Sequence, residues 1–198
     1  MRYLRVLVLA AAVVLPLSAC AGYPGSRDAD DELTGVALVL DDGQGSQVHA
    51  CFGFVQQSLP PKCSGPVVHG WDWSAVDEEE TAAGVTFGEY DVTGTWGGTA
   101  LTLTQPATVA GPTPGPDATT EPAGQEPDPA SVKRAFDDED PPWQGDDRAV
   151  FMEYGDGPLK VTIVFDDGRV QDAADAKYGE GVVQVSSALR SIGDAQDR

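Results

Sequence analysis

Gly84-Val85-Thr86-Phe87-Gly88-Glu89-Tyr90-Asp91-Val92-Thr93-Gly94-Thr95-Trp96-Gly97-Gly98-Thr99-Ala100-Leu101-Thr102-Leu103 decides the fold class of this chain. Val85 to Thr95 is a strand and Thr99 to Val109 is another, with Gly97-Gly98 as the two-residue turn of a hairpin. Glycine supplies the positive φ that such turns need. Upstream, Val36 to Leu40 is apolar at every position, as a strand buried on both faces would be. Asp41-Asp42-Gly43-Gln44-Gly45 reads as a turn, and Val48 to Val55, with Cys51 and Phe52, as a second strand. Leu59-Pro60-Pro61-Lys62 breaks the pattern, because proline cannot donate to a ladder. Pro66 to Trp73 is a third strand, and Ser74-Ala75-Val76-Asp77 has the form of a capping box opening a short helix through Thr81. Three strands, a short helix and two strands over residues 34–105 predict a mainly β unit. The expected form is a small five-stranded OB-like barrel, with a small antiparallel sandwich as the alternative.

Residues 106–130 read as a linker. Seven of the 24 residues from Pro106 to Pro129 are proline, a composition that cannot bury a core. Residues 131–198 predict a small α+β unit in the order ββαβ. Ser131 caps a helix reaching Phe136. Ala149 to Tyr154 and Leu159 to Phe165 are strands. Arg169 to Tyr178 carries Val170, Ala174 and Tyr178 at four-residue spacing, so it is an amphipathic helix, and Gly179 sits where a C-cap glycine belongs. Gly181 to Leu189 is the last strand.

The other end of the chain speaks to location. Met1-Arg2-Tyr3-Leu4-Arg5 is a short positive segment, and Val6 to Leu17 is an apolar run broken only by Pro16. That run is shorter than the roughly 20 residues a spanning helix needs, and it fits a cleaved export signal over residues 1–19. Leu17-Ser18-Ala19-Cys20 resembles the lipobox of bacterial lipoproteins. The resemblance implies that the Cys20 thiol receives a diacylglyceryl group carrying palmitate-type chains, and that cleavage leaves Cys20 as the lipidated N-terminus. Two acyl chains hold a protein stably where one is marginal. Residues 20–33, with Asp28, Asp30, Asp31 and Glu32, are then an acidic tether. The expected location is the cell membrane, lipid-anchored and facing the extracytoplasmic side.

Pro60-Pro61-Lys62-Cys63-Ser64-Gly65-Pro66 with Gly70-Trp71-Asp72-Trp73, and Gly84 to Trp96, are together similar to a group of exported actinobacterial proteins of unknown function. That resemblance implies an extracytoplasmic setting and no particular activity.

The chain of 198 residues carries 32 acidic and 12 basic side chains, a formal charge of −20. Loss of Arg2 and Arg5 with the signal leaves 10 basic against 32 acidic residues, or −22. Nucleic-acid binding depends on Lys and Arg neutralising phosphates, so no nucleic-acid partner is expected. The same charge disfavours lying flat on anionic lipid. With Cys20 acylated, Cys51 and Cys63 form an even pair in an exported protein, and a disulfide is expected. The alternative is a zinc set of His49, Cys51, Cys63 and His69, whose spacing fits no zinc pattern. No cofactor and no metal are expected.

Trp71 and Trp73 sit two apart, so in a strand they face one side. They read as core, or else as a platform stacking a sugar or a peptide aromatic. No Gly-x-Ser-x-Gly elbow, P-loop or His-Glu-x-x-His occurs, and no catalytic residue is assigned. Asp41-Asp42 and Asp166-Asp167 each precede glycine, which turn chemistry explains. The expected role is a binding or envelope-assembly module with an envelope protein or glycan as partner; the alternative is a carboxylate-dependent cell-envelope hydrolase.

Overall fold

A computed structural model describes residues 31–44, 47–53, 55–56, 58–111, 126–145 and 149–193. The export signal, Cys20, most of the tether and the heart of the Pro-rich linker lie outside the described residues.

Five strands close a barrel. β1 (Leu33–Asp41) pairs with β2 (Val48–Cys51) and, over its whole length, with the twelve-residue β5 (Val85–Trp96). β2 pairs with β3 (Val67–His69), and β6 (Ala100–Leu103) lies between β3 and β5. The circuit is β1-β2-β3-β6-β5 and back to β1, antiparallel everywhere except β3 against β6. This is the expected five-stranded OB-like barrel, and the sandwich alternative does not form.

Period-two alternation sorts the side chains. Leu33, Ala37, Val39, Ala50, Val68, Tyr90, Val92, Trp96 and Leu101 fill the interior. Leu38, Leu40, Cys51 and Phe87 point the other way and form a second small cluster with Val55, Cys63, Ala82 and Val85. Two-sided burial explains why Ala37 to Leu40 is continuously apolar, whereas Val36 is exposed. Closure also brings backbones together: a Cβ on Gly94 of β5 would stand 2.1 Å from the Thr102 carbonyl oxygen of β6. Only glycine fits there.

Several predicted elements are shorter than expected. The third strand stops at His69, because Gly70 turns the chain with φ +83°. No helix runs from Ser74 to Thr81; a single 3-10 turn spans Trp73–Ala75. Its cap is Asp72, whose carboxylate accepts from the Ser74 amide at 2.9 Å and from the Ser74 hydroxyl at 2.7 Å. The chain then extends into β4 (Glu80–Ala82), which forms a hairpin with the start of β5. The fifth strand breaks before Pro106 and resumes as β7 (Thr108–Val109) against Tyr90 and Asp91.

The C-terminal unit has the expected ββαβ order. β8 (Ala149–Glu153) pairs antiparallel with β9 (Leu159–Ile163), and β9 pairs parallel with β10 (Val183–Ser187) across α2 (Arg169–Tyr178). α1 (Pro129–Phe136) begins three residues earlier than predicted, capped by Asp128 rather than Ser131, with Pro129 in its first turn. Val132, Ala135, Trp143, Val170 and Ala174 cover one face of the sheet, against Leu159, Val161, Ile163 and Val183. The predicted strand to Leu189 divides at Ala188-Leu189. Leu189 enters the barrel's buried cluster with Val164 and Phe165, and β11 (Arg190–Ser191) pairs with the start of β1. A Cβ on Gly35 would lie 2.8 Å from the Ala188 carbonyl oxygen, so β1 has room for this contact only as glycine.

Candidate functional site

Trp71 and Trp73 flank the bend after β3, not a strand. Their rings meet edge to face at 5.1 Å, and each packs in the same manner on Tyr90, at 5.1 Å and 6.2 Å. Tyr90 is fully buried, and both indoles lie against the barrel's core. The Tyr90 hydroxyl donates to the Asp77 carbonyl at 3.1 Å. Burial pushes the Tyr90 phenol above its ordinary range, with Glu79, Asp77 and Glu78 adding to the effect. Both indoles spend part of their ring surface on one another and on Tyr90, and both stay partly exposed. A cleft of about 220 Å³ beside them is bounded by Trp71, Asp72, Val76, Leu103 and Pro106.

Cys51 and Cys63 lie at disulfide-bonding distance, with Cα atoms 6.1 Å apart, and close the loop over Leu38, Leu40 and Phe87. His49 is otherwise engaged: its Nδ1 donates to the Gly65 carbonyl at 3.0 Å. His69 is exposed at the end of β3. Among the described residues, no three His, Cys, Asp or Glu side chains converge to hold a metal.

The paired carboxylates serve the backbone beside them. Asp41 and Asp42 accept from the amides of Gly43 and Gln44 at 2.8 and 2.9 Å. Asp166, the one buried acid among the described residues, accepts from the amides of Gly168, Val170 and Gln171, so it holds the N-terminus of α2. The Lys177 ammonium at 2.8 Å and the Tyr178 hydroxyl at 2.7 Å hold the Asp138 carboxyl far below the usual carboxylate range. The carboxyls of Glu32, Asp72 and Asp128 are also lowered, chiefly by hydroxyl donors from Thr104, Ser74 and Ser131. A general acid needs the opposite displacement.

What sequence reasoning missed lies on the edge of the small sheet. Phe136 of α1 and Phe151, Met152 and Tyr154 on and beside β8 are 45% to 48% exposed. Phe136 and Tyr154 stack in the open, with centroids 4.7 Å apart and planes 21° from parallel. The register fixes the faces. Met152 stands opposite Val161 and so on the side that α1 covers, with Tyr154 against Phe136. Phe151 and Glu153 stand opposite Thr162 and Lys160, on the side away from α1, where a Cβ on Gly53 of the barrel would lie 3.4 Å from the Phe151 Cβ. The only trace in the sequence is Ala149-Val150-Phe151-Met152, apolar at every position, where a half-exposed strand would alternate.

No family model matches the chain, and neither the curated proteins nor the solved structures contain a significant match.

Proposed function

We propose that this chain is an exported lipoprotein, held on the extracytoplasmic face of the cell membrane by acyl chains on Cys20, and that its folded part is a non-enzymatic module binding an envelope protein. The lipobox-like Leu17-Ser18-Ala19-Cys20 after a short apolar run supports the anchor. The single observation that carries the binding role is the row of half-exposed apolar side chains at β8, in a protein whose formal charge is −20. Isolated exposed apolar residues are ordinary, but a contiguous set with two stacked aromatics marks a contact surface. A protein partner is favoured over a glycan, because the tryptophans that would stack a sugar are packed on each other and on Tyr90. The carboxyls of Glu32, Asp72, Asp128 and Asp138 are displaced downward, which lends the hydrolase alternative no support.

The anchor is tested by intact-mass analysis and membrane fractionation of the protein from its own cells. The expected mass is that of residues 20–198 plus a diacylglyceryl group, and Cys20→Ala should leave the precursor unprocessed or release the protein. A free thiol on a processed N-terminus, or a Cys20→Ala protein that stays in membranes at the mature mass, would overturn it.

A further inference from the structure

Both edges of the three-stranded sheet end in outward backbone groups, and the described residues close only one. Along β10, the Gln171 side chain of α2 accepts from the Val185 amide at 2.8 Å and donates to the Val183 carbonyl at 3.1 Å. That side-chain amide does the work of a further strand. Along β8, the Ala149 amide is taken by the Trp143 carbonyl, and Gly53 of the barrel lies against Val150. From Phe151 onward, β8 has no strand partner among the described residues except β9. The protections it carries are slight: no proline and no lysine, one bulge between Ala149 and Phe151, and one charge, Glu153, at its end. Phe151 and Met152 put apolar side chains on both faces, as an interior strand would.

We propose that the Phe151–Tyr154 edge of β8 is completed by an extended segment of a partner protein, added as a fourth strand. This rests on the binding-module reading above. Main-chain hydrogen bonds supply the adhesion in this mode, and alternate side chains supply the choice of partner. The two faces define that choice. On the helix side, Met152 and Tyr154, backed by Phe136, present apolar surface to the incoming strand. On the side away from α1 stands Glu153, whose one cation, Lys160, is 3.9 Å away. Asp156 and Glu126 line the cleft beside Tyr154. Lys133, on the neighbouring helix, is already paired with Asp137. The segment that fits alternates apolar residues with Lys or Arg, its apolar side on Met152 and Tyr154 and its cations beside Glu153. A second copy of this chain is disfavoured by charge, because each copy brings −20 formal charges to the contact.

The test is an NMR titration of the full chain with a short blocked peptide alternating valine and lysine. Three comparisons accompany it: the same peptide N-methylated at alternate amides, its valine–glutamate counterpart, and the original peptide against Glu153→Lys. Shifts confined to Phe136 and residues 151–154 are expected. Binding should weaken by about tenfold or more on N-methylation, since each lost main-chain hydrogen bond is worth about that factor. It should weaken about threefold for Glu153→Lys, as for one exposed pair. Shifts spread over the acidic turns, or equal binding of the methylated or glutamate peptide, would overturn the assignment. A photoreactive benzoyl-phenylalanine is placed in turn at Phe151, at Gln184 on the closed edge and at Val36 on the barrel, in living cells. Adducts from position 184 or 36 but not 151 would overturn the β8 edge and leave a binding role standing. Adducts from none of the three would remove the binding role itself.

Discussion

Along β10, the outward groups of Val183 and Val185 are satisfied by Gln171, whereas along β8 from Phe151 onward no strand but β9 pairs with it among the described residues. The barrel stands at one extreme of this contrast. There β1 finds β5 and leaves its neighbours no free side. One chain thus shows three treatments of the edge problem: closure, side-chain capping and exposure. Exposure is the one that costs solubility, so a chain that caps β10 and closes its barrel has the means to cap β8 as well. That β8 keeps its apolar side chains in water is the reason for assigning function there.

The largest effect should come from breaking the closed extreme. Gly94→Ala places a Cβ about where the Thr102 carbonyl oxygen already sits, 2.1 Å away, and β5 and β6 must separate. Overpacking of this kind costs about 3 kcal/mol or more where the obstacle is backbone. Urea unfolding should show the barrel lost, and an unchanged midpoint would mean that β5 and β6 are not held together as described.

Gln171→Ala would turn the capped edge into an open one. Two part-buried main-chain groups lose their partners, at about 1 kcal/mol each. The variant should be about 2 kcal/mol less stable in urea unfolding. A variant as stable as the parent would remove the distinction between the two edges.

A smaller effect concerns the brace beside the sheet, where Asp138 joins Lys177 and Tyr178 of α2. Its folded-state pKa lies below the ordinary aspartate value of about 4, so the unfolded chain binds the proton more readily. The brace therefore stabilises the fold above about pH 4 and is lost as pH falls through the lower folded value. Asp138→Asn should flatten the acid limb of stability between about pH 4 and pH 2 relative to the parent. Parallel limbs would show that the brace contributes nothing.

Strand order carried the barrel, because three strands, a break and a hairpin leave few ways to close a small sheet, and Ala37 to Leu40 is apolar enough for two-sided burial. The two helix starts failed for one shared reason. Ser74 and Ser131 have the right residue type for a cap, yet Asp72 and Asp128 lie just upstream and take the amides while the serine hydroxyls donate to them. A carboxylate is the stronger acceptor, and local spacing alone did not rank the two. Trp71 and Trp73 were misplaced in a strand because Gly70 turns the chain first, although their packing on Tyr90 matches the expectation of core. The β8 edge was not legible at all. Whether Phe151 is interior or exposed depends on what lies beside β8 in space, and the capping of β10 depends on a contact between Gln171 and Val185, fourteen residues apart.

The most direct test is amide hydrogen exchange on the full chain in membranes from its own cells, compared with the same protein purified. If a partner strand occupies β8 in the envelope, the Met152 amide, which the register turns away from β9, should exchange more slowly in membranes, while that of Val185, already held by Gln171, should exchange at the same rate in both. Equal exchange at Met152 in the two preparations, or protection gained at β10 instead, would contradict it.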